Sequence, residues 1–273
     1  MTKKFYVILL YSVAIFVAIL TIAPFIWMIS ASFSPSGAAT TFPPVLIPKK
    51  FTLIHYKTLF TRLNLVKYFI NSLFISCSIT LISLFFNSMA GFAFAKYNFP
   101  GKYKLFRLLL ASMVIPGQVT MLPLFFMLKK MGFINTYIGV IIPGMASIFG
   151  IFLIRQFILT IPDSFIEAAR IDGASDFKIY LKIILPLCKP ILVTLALFTF
   201  IGAWNDFLWP LIVMTRDEMY TLPVALANLM GEHAQDMELM MAGSLLTILP
   251  IMVLFLVMQK YYIEGIMIGG IKG

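Results

Sequence analysis

Charge is scarce in this chain. Only 12% of its 273 residues are Asp, Glu, Lys or Arg, against roughly 25% in an ordinary soluble domain, which excludes a water-facing surface over most of its length. There are two cysteines, Cys77 and Cys188, and two histidines, His55 and His233. Cys77 falls in an apolar run and Cys188 beside a polar loop, so neither a disulfide nor a metal site is expected. The histidines lie in separate segments outside the apolar runs. Each is expected to be a solvated surface residue, and no His-centred catalytic cluster forms. No Gly-x4-Gly-Lys-Ser/Thr phosphate loop occurs. Gly139 and Gly144 have the spacing, but Met145 follows and the surroundings are apolar. The chain does not bind ATP by that route.

What fills the sequence is apolar, at 61% hydrophobic residues and a mean hydropathy of +0.98, the composition of an integral membrane protein. Uncharged runs cover residues 5–48, 68–95, 108–128, 131–154 and 239–259, and the run 190–215 is interrupted only by Asp206. About 20 apolar residues make roughly 30 Å of helix, enough to span a bilayer, so six spans are expected. The apolar stretch 5–28 is longer than the ~7–15 residues of a signal-peptide core and lacks a small-x-small cleavage site, so a retained first helix is expected. The organisation reads as residues 1–66, a first transmembrane helix with an extracytoplasmic segment; 67–260, a core of five helices containing a polar loop at about 161–190; and 261–273, a cytoplasmic tail.

With both termini cytoplasmic, the inner segments hold Lys3, Lys4, Lys96, Lys102, Lys104, Arg107, Arg155, Arg170, Lys178, Lys182, Lys189, Lys260 and Lys272, thirteen of the 21 basic residues. This agrees with the positive-inside rule and puts the 161–190 loop in the cytoplasm. The net charge of +10 is spread over span flanks, so it anchors the chain to the membrane and does not mark a nucleic-acid site.

The polar loop has legible local chemistry. Pro162 stops the preceding span, and Ser164 with Glu167 three residues later makes a capping-box pattern. A short helix of roughly 165–172 follows. Gly173 stands where a left-handed helix-ending residue is wanted, Ser175 can cap a second helix, and Pro186 and Pro190 limit that helix. Small side chains at Ala168, Ala169 and Ala174 leave the corner low enough for another protein's groove to close around it. Glu167 reads equally as a cap on its own helix.

Prolines at 24, 116, 123, 143, 210 and 250 free backbone carbonyls that a bilayer tolerates only where protein or a wet cavity satisfies them. They fit a moving pathway or the ordinary frequency of proline in membrane helices. Asp206 lies sixteen residues beyond Pro190, about 24 Å up a helix. It is either interfacial, within an aromatic belt of Trp204 and Trp209, or faces a cavity with Asn205, where the two side chains bind sugar hydroxyls or help close an outer gate. The acidic outer segment, Asp217, Glu218, Glu232, Asp236 and Glu238, is either a docking face or a solvated loop.

Read as a spacing, Glu167-Ala168-Ala169, three residues, Gly173, nine residues and Ile183-x-Leu185-Pro186 resembles the EAA loop of permease subunits of ATP-binding-cassette importers. Ile115-Pro116-Gly117-Gln118-Val119, Pro123-Leu124, Gly132 with Asn135-Thr136, Trp204-Asn205-Asp206-Phe207 and the tail from Gln259 through Gly265 to Lys272-Gly273 are similar to the MalG-type subunit of carbohydrate importers. The resemblance implies an all-α integral membrane protein with six transmembrane helices and a cytoplasmic coupling helix, in the bacterial cytoplasmic membrane. It also implies a MalF-like sister permease, two cytoplasmic ATPase subunits that bind ATP and Mg, and an external sugar-binding protein. This chain would itself be non-catalytic and hold no cofactor.

By the same resemblance, Glu167, Ala168, Ala169, Asp172, Gly173, Ala174, Ile183, Leu185 and Pro186 belong to the ATPase-coupling loop. Gly269, Gly270 and Lys272 form a tail contact, although Met267 and Ile268 replace smaller residues before them. Trp204, Asn205 and Asp206 fall on the substrate pathway or gate. A glycerol-3-phosphate or polyol permease carries similar motifs and stays open. A secondary transporter needs mid-membrane carboxylates and paired repeats, and the chain offers Asp206 alone and no visible repeat.

Overall fold

A computed structural model describes residues 2–41, 47–48, 50–61, 64–232 and 236–270. No strand occurs among the described residues. The helices in order are α1 (Thr2–Ser32), α2 (Ile54–Thr61), α3 (Leu65–Lys96), α4 (Lys102–Ser112), α5 (Gly117–Lys130), α6 (Tyr137–Ile141), α7 (Ile148–Ile158), α8 (Ser164–Ile171), α9 (Asp176–Ile179), α10 (Leu185–Leu187), α11 (Lys189–Trp204), α12 (Leu208–Val213), α13 (Leu222–Glu232) and α14 (Met237–Gly270). A π-helical turn, Tyr180–Ile184, joins α9 to α10. Two compact units result: Met1–Lys67 with Ala225–Pro250, and Tyr68–Val224 with Ile251–Gly273.

Three helices, Lys4–Ser32, Leu65–Lys96 and Met237–Gln259, are individually long and apolar enough to cross a membrane. Three further stretches reach that length and apolarity only as bent pairs of helices: α4 with α5 (102°), Tyr137–Gly144 with α7 (42°), and Asp176–Leu187 with α11 (80°). The run 190–215 is thus not one helix. It breaks after Trp204, and Asp206 Oδ1 accepts from Trp209 N at 3.4 Å at the start of α12, because short polar side chains compete for backbone groups and favour helix ends.

The packing of α3 departs from that of a soluble helix. Its buried face carries Asn71, Ser72, Ser76, Thr80, Ser83, Asn87 and Ser88 beside Ile75, Ile79, Phe92 and Phe94, while Leu73, Phe74, Leu81, Phe85 and Phe86 are exposed. Apolar solvent gives apolar side chains no reason to hide, so close approach and hydrogen bonds decide what is inside. Asn71 Nδ2 donates to the carbonyls of Glu218 (3.1 Å) and Tyr220 (3.0 Å). Gly91 lets α7 approach, since a Cβ there would lie 2.8 Å from Ile154 Cγ2.

In the first unit, His55 is 2% exposed, not solvated as its position outside the apolar runs suggests. Its Nε2 donates to the Ser34 carbonyl at 2.8 Å and its Nδ1 lies 3.6 Å from Asp236 Oδ1. The neighbouring Tyr56 bonds Ser32 (2.8 Å), and Phe33 stacks on Phe51. Glu238 is fully buried, its Oε1 accepting from Ala39 N at 2.6 Å. Two of the five outer acids therefore serve this unit's interior and do not form a free docking face. His233 lies outside the described residues.

Candidate functional site

The polar loop is a helical hairpin whose feet sit in an apolar cluster and whose tip is exposed. Ile166 and Ala169 of α8 turn inward onto Ile158, Ile161, Ile179, Tyr180 and Ile184. Gly173 is left-handed (φ +75°). Its N–H donates to the Arg170 carbonyl at 3.0 Å and Ala174 N–H to the Ala169 carbonyl at 2.9 Å, the paired bonds that end a helix at glycine. Ser175 Oγ then accepts from Lys178 N at 3.4 Å and starts α9. Arg170 Nη2 reaches Asp176 Oδ1 at 3.2 Å across the corner, a solvent-exposed pair that contributes orientation more than stability.

The start of α8 differs from the sequence expectation. Asp163, not Ser164, is the N-cap residue, and no side-chain bond caps the helix. The Asp163 carboxylate is taken by Lys96 Nζ at 2.6 Å, while its carbonyl accepts from Ile166 N (2.9 Å) and Glu167 N (3.0 Å). The Ser164/Glu167 capping box is therefore not formed.

Glu167, Ala168, Asp172 and Gly173 are exposed at the tip, and beside them stand Phe165, Phe177 and Ile171, the last 87% exposed. Those three apolar side chains on a polar loop were the unread signal of a contact surface. Ala169 is buried, and Ala174, Ile183 and Leu185 pack against the core cluster, so these four shape the hairpin from below. Pro186 is exposed, two residues before the bend at Cys188. Gly269 and Gly270 are the last residues of α14, and Lys272 lies outside the described residues.

Below the tip, Tyr97 lies between hairpin arms, with the Arg170 guanidinium 5.9 Å from its ring centre. Burial, and then the Asp176 carboxylate, push its phenol above the ordinary value.

A cavity of about 550 Å³ opens in the second unit, lined among others by Ser83, Gly117, Thr120, Pro143, Ser147, Thr199, Asp206 and Trp209. It sits where helices break. Pro116 precedes α5, Pro143 and Gly144 end the α6 segment, and the α11–α12 gap carries Asp206. Asn87 pins one break, its Oδ1 accepting from Ser147 N at 2.9 Å and its Nδ2 donating to Ser83 Oγ at 2.8 Å.

Asp206 reaches this cavity, whereas Trp204 and Asn205 are not among its lining residues. Trp204 is 1% exposed, stacked on Phe200 and edge-on to Phe69, and Asn205 is exposed at the end of α11. Trp209 is buried on the cavity wall, its Nε1 donating to the Gly139 carbonyl at 3.2 Å. Both indoles are packed inside the protein.

A multi-pass helical membrane protein with a cavity among broken helices and an exposed polar hairpin has the form of a transport subunit. Residues 83–266, more than half of the chain, match the family described as binding-protein-dependent transport system inner membrane component, and the chain belongs to that family of ATP-binding-cassette importer permeases. It is 40% identical to the arabinooligosaccharides transport system permease protein of Halalkalibacterium halodurans, over 94% of each chain. It is 33% identical to the melibiose/raffinose/stachyose import permease protein of Bacillus subtilis, over 100% of this chain and 98% of that one. Its fold matches, with a TM-score of 0.84 and 25% identity over 96% of this chain and 98% of the other, a chain of a bacterial ABC transporter involved in the import of the acidic polysaccharide alginate.

Proposed function

We propose that this chain is the permease subunit of an ATP-driven importer that translocates an oligosaccharide delivered by an external sugar-binding protein. It pairs with a sister permease and draws on two cytoplasmic ATPase subunits, which bind ATP and Mg. The observation that carries the reading is the hairpin, whose corner is fixed at Gly173 and whose tip turns Glu167, Ala168, Asp172 and Ile171 outward. A carboxylate, a bare backbone corner and exposed apolar side chains suit a cleft with a basic residue and apolar walls. Closure of the ATPase dimer moves the hairpin, and the hairpin moves the helices around the cavity. Gly269, Gly270 and Lys272 would supply a second contact, and both termini face the cytoplasm.

The hydroxyls of Ser83, Thr120, Ser147 and Thr199 and the Asp206 carboxylate offer hydrogen bonds to a hydroxyl-rich solute on a largely apolar wall. Among the described residues no Lys, Arg or His lines the cavity, which favours a neutral sugar over glycerol phosphate. The test is uptake of labelled arabinotriose into proteoliposomes holding the full complex and its binding protein. Uptake is expected with ATP on the cytoplasmic side and without any ion gradient. Uptake driven by a proton or sodium gradient with no ATP would overturn the reading.

A further inference from the structure

The coupling hairpin has two arms, and the end of one helix holds both. Lys96 is the last residue of α3 and is almost fully buried. Its Nζ donates to the Ile161 carbonyl and to Asp163 Oδ1, each at 2.6 Å, on the arm leading into α8. The next residue, Tyr97, lies beside Arg170 and Asp176, the pair that straps the corner to the departing arm. One turn or more back along α3, Phe92 stacks on Tyr180 and Ser88 Oγ bonds the Tyr180 hydroxyl at 2.7 Å, again on the departing arm. The same helix carries Ser83 to the cavity, thirteen residues or about 20 Å from Lys96, and Asn87, which bonds the lining residues Ser83 and Ser147. It does so without a break over 32 residues, whereas α7 and α11 join their preceding segments through bends of 42° and 80°.

We propose that Lys96, with Tyr97 beside it, is a positioning residue for coupling: it fastens the hairpin to α3 so that displacement of the hairpin is delivered to the cavity wall. The inference rests on the coupling reading above. An ammonium on a flexible stem is suited to the task, because it satisfies a buried carbonyl and a carboxylate at once while closing the C-terminal end of α3, where a cation is favoured. The role differs from that of the tip, since the Lys96 ammonium is bonded within the chain.

The test compares wild type with Lys96→Met, Lys96→Arg, Asp163→Asn, Lys96→Asp and the exchanged pair Lys96→Asp with Asp163→Lys. Each is assembled with its binding protein, sister permease and ATPase in proteoliposomes and assayed with arabinotriose. Retained ATPase subunits, ATP hydrolysis and arabinotriose uptake are read together. Lys96→Met is expected to keep the ATPase bound but lower uptake per ATP hydrolysed about tenfold, as loss of a charged hydrogen bond implies. Asp163→Asn, at an exposed position that does not endanger folding, should lower it about threefold. Lys96→Arg should restore most of the ratio, and the exchanged pair should exceed Lys96→Asp alone. An unchanged ratio in Lys96→Met and Asp163→Asn overturns the proposal, as does a loss that merely tracks the amount of assembled complex. Glu167→Ala serves as the control. If it too leaves hydrolysis and uptake intact, the coupling reading itself fails and the inference falls with it.

Discussion

Replacing Gly173 separates what the hairpin's shape contributes from what its contact surface contributes. Its φ of +75° costs an L-residue about 1–2 kcal/mol. A Cβ built there meets nothing within 4 Å, so no clash within the chain adds to that cost. Gly173→Ala should therefore depopulate the corner by a factor of about 5 to 30 without disturbing the core beneath it. Gly173→Asn carries a larger side chain but tolerates the left-handed conformation. The assay is the affinity of the purified ATPase subunit for the permease pair in nanodiscs. If corner conformation is what the partner requires, Ala weakens binding more than Asn. If Asn weakens it as much as Ala or more, the partner excludes side-chain bulk and the conformational argument is refuted. If neither changes affinity, Gly173 is not at the interface.

Trp209→Phe leaves the Gly139 carbonyl without the donor that lies at 3.2 Å and should cost about 1–3 kcal/mol, read as a lower thermal midpoint in detergent; an unchanged midpoint contradicts the packed position of the indole. Glu238→Gln keeps the acceptor for Ala39 N and exchanges Oε2, which has no hydrogen-bond partner among the described residues, for an N–H₂, so its midpoint should stay close to wild type. Glu238→Ala should lose about 1–3 kcal/mol by orphaning the Ala39 N–H, and equal damage from Gln and Ala would contradict that account.

Local chemistry made the hairpin legible in the sequence. Gly173 stops a helix because it alone adopts that backbone cheaply, and Ser175 caps the next helix three residues before the N–H it accepts. Long apolar runs likewise announced α1, α3 and α14. What escaped was set by partners distant in sequence. Asp163, which takes the N-cap position one residue before Ser164, does not cap with its side chain because Lys96 claims the carboxylate, His55 is buried because Ser34 and Asp236 meet its ring, and Trp209 is inside because Gly139 offers a carbonyl. Hydropathy over a window sums all faces of a helix, so it could not reveal that α3 turns seven Asn, Ser and Thr side chains inward among its buried apolar ones. Nor could it place the break around Ala146 beside the cavity, since the uncharged run continues through it.

The central claim is that work done by a separate ATPase enters this chain through the exposed hairpin. Its most direct test is ATP hydrolysis stimulated by the binding protein in proteoliposomes of the full complex, with wild type against Glu167→Ala combined with Gly173→Asp. The account predicts that the variant reaches the membrane and pairs with its sister permease but loses stimulated hydrolysis or releases the ATPase subunits. Stimulated hydrolysis at the wild-type level in the assembled variant would contradict it.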